Sequence, residues 1–356
     1  MMDRKALQGA MDRIILRMTD PAPSGIVETV PISNLDFSSW EWPQGVGLYG
    51  MFKLWTSTGE DRYLDIMESW YRARLAEGLP PKNVNTVAPL LTLIHLYERL
   101  GGGERLELCL EWAEWVMRDM PRTADRGLQH IVGNSANDGQ LWVDTLFMTV
   151  LFLAKTGMVA GRREYVEEAI RQFLVHVKYL ADRRTGLWFH GWTFHGMNNF
   201  AEAHWGRGNC WFTACLLDFL EITGLEGGVR DFLLDTWRDQ VEALLPLQEA
   251  DGMWHTLLDD PTSYVESSAT AGFGYGILKG VRLGLLPESF RPRGLLACEG
   301  VLARVDESGT VGQVSYGTPM GLDLDFYRRI PVAQMPYGQS LTVLMLGEAL
   351  QNLGRG

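Results

Sequence analysis

Apolar residues along this chain recur with helical spacing, and two kinds of helical segment alternate. In the first kind, charged residues occupy one face, which is typical of helices that bury only the other face. These segments are residues 67–75, 106–117, 165–180 and 232–247. The second kind is nearly free of charge and is expected to be buried on all sides. Its segments are residues 86–100, 141–154, 211–220 and 269–285. No alternation with a period of two is sustained, so we predict an all-α protein.

The connections between these segments also repeat. A turn that contains a glycine follows residues 106–117, 165–180, 232–247 and 291–305, and these glycines lie at positions 127, 186, 252 and 309, respectively. Their intervals are therefore 59, 66 and 57 residues, which indicates a repeated supersecondary unit, here a helical hairpin. Counting outward gives six pairs, the first at residues 5–18 and 45–57 and the last at 291–305 and 338–353.

Six helical pairs predict an (α/α)6 barrel with six inner and six outer helices, in one domain over residues 1–356. The loops that precede the inner helices would meet at one end, where we expect the cavity. The alternative is an open solenoid, which is less favoured because its terminal repeats are usually more polar than these.

Composition limits the binding partners and the cellular compartment that we expect for this protein. The formal net charge of −12 argues against a nucleic-acid partner, which requires a basic surface. Four scattered cysteines without metal-ligand spacing indicate neither a disulfide framework nor a zinc site. The first 20 residues predict an amphipathic helix rather than a signal peptide, and no apolar run is long enough to span a membrane. We expect a cytoplasmic protein without metal or other cofactor, as a monomer or weak homo-oligomer.

Asp144 is the first candidate for chemistry, because it is the only charged residue between Asp138 and Lys155. A carboxyl group at the start of a buried helix is desolvated, and this raises its pKa toward the range that suits a general acid. The helix N-terminus acts in the opposite direction, because it favours the charged form. A purely capping role for Asp144 is the alternative.

Two histidines occupy equivalent places in successive repeats. His130 and His190 each follow a repeated turn, at the end where the cavity is expected, and His255 is the third in the series. A histidine in such a loop often serves only as a structural hydrogen-bonding group. The repeated placement makes His130 and His190 candidates for substrate binding.

The stretch from His204 to Trp211 has the highest density of candidate residues. Arg207 offers a planar fork for a carboxylate, and Gly206 and Gly208 allow close approach of a ligand to the backbone. The alternative is that Arg207 neutralises a buried carboxylate such as Asp144.

The chain also has 13 tryptophans, and we expect several to stack against sugar rings at this end. The candidates, some of which we expect to be core residues, are Trp42, Trp142, Trp188, Trp192, Trp205 and Trp211.

Four stretches resemble the unsaturated uronyl hydrolases of glycoside hydrolase families 88 and 105, the second being the more similar. They are Asn83–Thr86, Leu141–Met148, Thr185–Trp192 and Trp205–Asn209, and the likeness extends over roughly residues 20–350. The resemblance implies an (α/α)6 barrel that acts on an unsaturated oligosaccharide. Its substrate is the 4,5-unsaturated uronic acid that a lyase leaves at the non-reducing end. The reaction is hydration of the enol-ether double bond, followed by release of the sugar.

The resemblance also implies roles for individual residues. Asp144 corresponds to the family acid that protonates C4, while His190, Trp205 and Arg207 match positions that line the pocket and hold the uronate. Many members have an aspartate at the start of the second inner helix, where this chain has Asn85. Since an amide still binds a hydroxyl, we expect Asn85 to contact substrate. The full predicted set of substrate-binding residues is Trp42, Asn85, His130, His190, Trp205, Arg207 and Trp211.

Two other functions fit an (α/α)6 barrel, because a fold alone does not select a reaction. A sugar epimerase would need two catalytic histidines across the cavity, for which His190 and His255 are available. A non-catalytic uronide-binding protein would depend on Asp144 only for affinity. If Asp144 were not the acid, the next candidates would be His190 and Glu266.

Overall fold

A computed structural model describes residues 3–19, 36–133 and 135–353, which form thirteen α-helices and four short strands. The inner helices are α2 (Trp42–Thr58), α4 (Val84–Leu100), α6 (Leu151–Ala160), α8 (Gly206–Thr223), α10 (Ser267–Arg282) and α13 (Pro336–Leu353). The outer helices are α1 (Arg4–Thr19), α3 (Asp61–Glu77), α5 (Gly103–Arg118), α7 (Arg163–Leu180), α9 (Gly228–Leu244) and α11 (Arg291–Leu302). A single short helix, α12 (Leu324–Arg328), lies between α11 and α13.

The inner helices form a closed ring. Each contacts the next inner helix along the chain, and the last, α13, packs against the first, α2. The first outer helix, α1, also packs against α13. An open solenoid has no contact between its terminal repeats, so this closure confirms the (α/α)6 barrel.

Burial follows the two patterns predicted from the sequence. On the outer helix α7, the buried residues include Tyr165, Ala169, Phe173 and Val177, which recur every four positions along one face. On the inner helix α8, every residue from position 206 to position 219 is buried. The four cysteines are free and buried, as predicted. None of the helices in the described part of the chain is both long enough and apolar enough to cross a membrane.

Two of the repeated glycine turns pack against a neighbouring outer helix. Gly252 and Gly309 have φ angles of +88° and +89°, in the left-handed region that glycine adopts without steric cost. A Cβ atom would lie 2.1 Å from the Leu296 carbonyl oxygen at the first position, and 2.3 Å from that of Arg13 at the second. The turns therefore pack directly on the backbones of α11 and α1, and the second of these contacts closes the outer ring.

Two pairs of short strands precede inner helices. β1 (Gln140–Trp142) pairs antiparallel with β2 (Gly191–Thr193), and β3 (Val314–Ser315) pairs with β4 (Val332–Ala333). The single buried helix predicted over residues 141–154 is therefore wrong at its start. The chain forms β1, a turn, a π-helix over Leu146–Val150 and then α6. A strand of three residues is too short to show a period of two, so the sequence pattern did not reveal it.

A buried ionic cluster links three inner helices away from the strand pairs. The Asp218 carboxylate on α8 lies 2.6 Å from Lys53 Nζ on α2 and 2.8 Å from Lys279 Nζ on α10. The Tyr49 and Tyr275 hydroxyls each donate to it at 2.7 Å. Although burial raises the pKa of Asp218, the two lysine charges hold it well below its usual range. The carboxylate is thus fully paired, and it connects α2, α8 and α10.

We predict that Asp218→Asn lowers the free energy of unfolding by about 3–5 kcal/mol, because two lysine charges lose their buried counter-charge. Urea unfolding measures the difference. The control is Asp235→Asn on α9, whose side chain is 69% exposed beside Arg238 and whose loss costs less than about 1 kcal/mol. Equal stability of the two variants would contradict the importance of the cluster.

Candidate active site

The predicted site residues lie at the end of the barrel where the inner helices begin. Trp42 is the first residue of α2, Asn85 is the second of α4, and Trp205 is the N-cap of α8. Asp144 lies in the turn between β1 and the π-helix that leads into α6. Because the inner ring is closed, these positions from four different repeats surround one region.

Asp144 is a buried carboxyl group with an unpaired oxygen. Its side chain is only 16% exposed, and its buried Oδ2 atom has no hydrogen-bond partner among the residues that the structure describes. Burial raises the pKa of Asp144 to about 6, although the Arg207 charge and the Trp211 indole act in the opposite direction. The group therefore exchanges its proton near neutral pH, as a general acid requires.

The pairing of β1 with β2 brings His190 beside Asp144. The Val143 N–H donates to the His190 carbonyl at 3.2 Å, immediately before the acid. His190 Nε2 then lies 3.9 Å from Asp144 Oδ2, and neither atom has a hydrogen-bond partner in residues 3–19, 36–133 and 135–353. Two buried polar atoms left unpaired are costly, so this gap is suited to a polar ligand atom that contacts both.

The environment of His190 keeps its ring neutral. Burial lowers the pKa of His190 well below its usual range, and the nearby His130 and Arg207 lower it further. Its Nδ1 atom lies 2.8 Å from the Tyr327 hydroxyl on α12. The Trp205 ring, with its centroid 4.2 Å away, covers one side of the imidazole.

His130 lies behind this pair. Its ring stacks on Trp142 with centroids 4.3 Å apart and planes 8° apart, and Nδ1 lies 2.9 Å from the Thr145 hydroxyl. Burial lowers the pKa of His130 to about 3. These contacts support the turn that holds Asp144, whereas contact between His130 and substrate stays a prediction.

Arg207 is enclosed by the chain itself. Its guanidinium lies between the rings of Trp205 and Tyr337, 4.6 and 4.7 Å from their centroids. The Nη atoms donate to the carbonyl and hydroxyl of Ser315, to the Tyr316 carbonyl and to the Thr318 hydroxyl. The guanidinium therefore anchors the segment that follows α11, and direct contact with substrate stays a prediction.

Within the described residues, Glu266 is the carboxylate that pairs with Arg207, at 3.7 Å. It is not a free acid, because it caps α10 through the Ala269 N–H and accepts from the Ser268 hydroxyl and the Ser315 N–H. The suggestion that Arg207 neutralises a buried carboxylate thus applies to Glu266 rather than to Asp144. Asp144 is close enough only for the Arg207 charge to lower its pKa.

Aromatic rings form one wall of the site. Trp42 stacks on Tyr337 with centroids 4.7 Å apart and meets Trp211 edge-on at 5.7 Å, and Trp211 packs against Phe147 at 5.2 Å. Trp42 is partly exposed, whereas Trp211 is fully buried. Some of these tryptophans belong to the core, as expected, since Trp188 is fully buried and stacks on Phe212. Contact between the others and a sugar stays a prediction.

Three residues near the site, Tyr327, Tyr337 and Glu41, were not predicted from the sequence. Tyr327 and Tyr337 reach the site from α12 and α13, and no local signal indicates this. Glu41 accepts from the Trp42 N–H as the N-cap of α2, and burial raises its pKa to about 7. Its position before Trp-Pro is a recognisable capping signal. Asn85 lies half-buried in the first turn of α4, and its contact with substrate stays a prediction.

Comparisons with known proteins identify the family of this chain. The chain is 35% identical over 329 residues to the unsaturated rhamnogalacturonyl hydrolase YesR of Bacillus subtilis, covering 90% of this chain and 92% of the relative. A possible GH105 member from Klebsiella pneumoniae superposes with a TM-score of 0.96 and 44% identity, covering 99% and 94% of the two chains. The unsaturated glucuronyl hydrolase of Bacillus sp. GL1, at 20% identity, a TM-score of 0.71 and coverage of 98% and 95%, shares the fold. The model of Glycosyl Hydrolase Family 88 matches residues 14–353, and the chain therefore belongs to this family of glycoside hydrolases.

Proposed function

We propose that this enzyme removes a 4,5-unsaturated uronic acid from the non-reducing end of oligosaccharides, and that Asp144 supplies the proton. The observation that carries the proposal is the unpaired Oδ2 atom of a buried carboxyl group whose pKa is about 6. The name of the Bacillus subtilis relative supports the substrate class. Unsaturated rhamnogalacturonan fragments are therefore the first substrates to assay.

The reaction needs one proton donor and one water. Asp144 transfers its proton to C4 of the enol ether, which leaves a cation shared between C5 and the ring oxygen. Water then adds at C5 and returns a proton to the Asp144 carboxylate. The hemiketal opens to a ketone, and the anomeric carbon becomes a hemiacetal that releases the remaining sugar. No second carboxylate has to attack the anomeric carbon, unlike the usual glycosidase mechanism.

The surrounding groups suit this chemistry. The neutral His190 ring offers a polar atom next to Asp144 without adding a second charge, and the Arg207 cation favours an anionic uronate nearby. The starts of inner helices add partial positive charge at the same end. We propose that His190, Asn85, Trp42 and Trp211 contact the uronate ring.

The alternative functions are less well supported by the geometry. An epimerase would need a second free histidine, but His255 contacts the Ser263 carbonyl through Nδ1 and Glu249 through Nε2 at 3.0 Å. Both of its ring nitrogens are thus already engaged. A purely uronide-binding protein would not require a carboxyl group that exchanges its proton near neutral pH.

The cellular setting is also a proposal. We propose a cytoplasmic enzyme, a monomer or weak homo-oligomer, that acts on imported oligosaccharides. In the part of the chain that the structure describes, no group of three or more His, Cys, Asp or Glu residues is placed to hold a metal ion. Independence from metal and from other cofactors stays a prediction.

The activity is tested with polysaccharides that have been treated with lyases and supplied one at a time. Hydration removes the C4–C5 double bond, so the ultraviolet absorbance of the enol ether should fall as free sugar is released. Binding without loss of absorbance would favour the uronide-binding alternative. An epimerised sugar with the double bond intact would favour the epimerase.

Asp144→Asn should reduce kcat by about 10²–10⁴-fold or more, with little change in KM. The amide keeps the size of the side chain but has no proton to transfer, and general acid–base catalysis is worth about this factor. The control is Asp138→Asn, six residues earlier, whose side chain is 77% exposed, and its kcat should be unchanged. An Asp144→Asn enzyme with more than about a tenth of the normal kcat would exclude Asp144 as the acid.

The value of kcat/KM should be constant below about pH 6 and fall about tenfold per pH unit above it. The sign follows from the acid role, since Asp144 must be protonated and its pKa is about 6. A pH series of initial rates measures the profile. Rates that stay level up to about pH 8 would assign the proton transfer to another group.

Two substitutions at Arg207 separate its charge from its geometry. Arg207→Ala should raise KM and move the fall in kcat/KM to higher pH, because the Arg207 charge lowers the pKa of Asp144. Arg207→Lys keeps the charge but cannot reproduce the bonds to Ser315 and Thr318. It should therefore raise KM while leaving the pH profile in place. Identical pH profiles for the two variants would contradict a charge effect on Asp144.

A further inference from the structure

The segment between α11 and α13 contributes Tyr327 to the active site. Tyr327 lies on α12, is fully buried, and packs in a small apolar cluster with Ala203, Trp205 and Leu257. Its hydroxyl lies 2.8 Å from His190 Nδ1 and accepts from the Gly321 N–H at 3.1 Å. The side chain is held by packing on one side and by hydrogen bonds on the other.

The acceptors within reach of the Tyr327 hydroxyl indicate which nitrogen of His190 carries the hydrogen. The Tyr327 hydroxyl has one proton to donate, and the Gly321 N–H already occupies one of its lone pairs. Its other possible acceptor is the Met320 sulfur at 3.6 Å, a weak one. The second lone pair of the hydroxyl could accept from Nδ1–H only if the hydroxyl proton went to this sulfur, so the closer and stronger Nδ1 acceptor favours donation from Tyr327 to Nδ1. In that arrangement the single hydrogen of the neutral imidazole lies on Nε2.

The surroundings of the second ring nitrogen, Nε2, lead to the same assignment of the hydrogen. Nε2 lies 3.9 Å from Asp144 Oδ2 and has no hydrogen-bond partner in the described part of the chain. If Nε2 were unprotonated, two lone pairs would face each other inside the protein whenever Asp144 is ionised. A hydrogen on Nε2 replaces this repulsion by attraction.

We propose that the Tyr327 hydroxyl is a positioning group that fixes the hydrogen of His190 on Nε2, so that His190 donates to a substrate oxygen lying next to Asp144. That oxygen accepts from Nε2 and approaches Asp144 Oδ2, which satisfies both unpaired atoms. The tautomer is a property of the free enzyme, whereas its use on a substrate oxygen rests on the proposed function. A donor at this point selects sugars that carry an oxygen there and disfavours deoxy analogues.

The tautomer is read from the ¹⁵N spectrum of histidine-labelled enzyme at neutral pH. The chain has only 7 histidines, and His190→Gln identifies the relevant signals. We expect a protonated Nε2 and an unprotonated, hydrogen-bonded Nδ1. A wild-type spectrum with the hydrogen on Nδ1 would overturn the proposal, whether or not the enzyme acts on unsaturated uronides.

Tyr327→Phe keeps the ring and removes the hydroxyl. We expect the His190 signals to shift toward a mixture of tautomers, and kcat/KM to fall on the order of tenfold, the size of one neutral hydrogen bond. The control is Tyr165→Phe, which removes a hydroxyl bonded to Glu114 from an equally buried ring in the outer layer. Its His190 signals and kcat/KM should be unchanged. Unaltered His190 signals in Tyr327→Phe would refute the positioning role even if activity fell.

Discussion

Closure of the inner ring is the constraint on which the active site depends. It brings together the first turns of helices that begin at residues 42, 84, 151, 206, 267 and 336, and no single repeat contains a complete site. The contact between α13 and α2 closes the inner layer, and the contact between Gly309 and α1 closes the outer one. At the level of Asp218, the ionic cluster holds α2, α8 and α10 at a fixed separation. Loss of these contacts would open the ring and separate the site residues.

Within the closed ring, two opposing effects set the pKa of Asp144, the proposed acid. Burial disfavours the charged form of Asp144, whereas Arg207 and the helix N-termini favour it. The result is a pKa of about 6, at which a proton can be both given and recovered near neutral pH. Trp205, Tyr337 and Ser315 enclose Arg207 and so hold its charge at a fixed distance from Asp144, the proposed acid.

The segment between α11 and α13 completes the site from a distant part of the chain. Ser315 and Thr318 accept from Arg207, and Tyr327 contacts His190. The ion pair between Arg328 and Asp260 ties α12 to the loop after α9, with atoms 2.6 Å apart. One segment thus contacts both Arg207 and His190, so a shift of this segment would move both residues.

Helical periodicity and glycine spacing were enough to predict the barrel, because they are local patterns that recur from repeat to repeat. It also singled out Asp144, since a lone charge in an apolar run is visible without a structure. The tertiary structure alone decided the partners. That Arg207 pairs with Glu266, that Tyr327 reaches His190, and that residues 140–142 form a strand all depend on contacts between distant segments. Such contacts leave no periodic signal, because each is made once, by residues whose spacing along the chain has no relation to their distance in space.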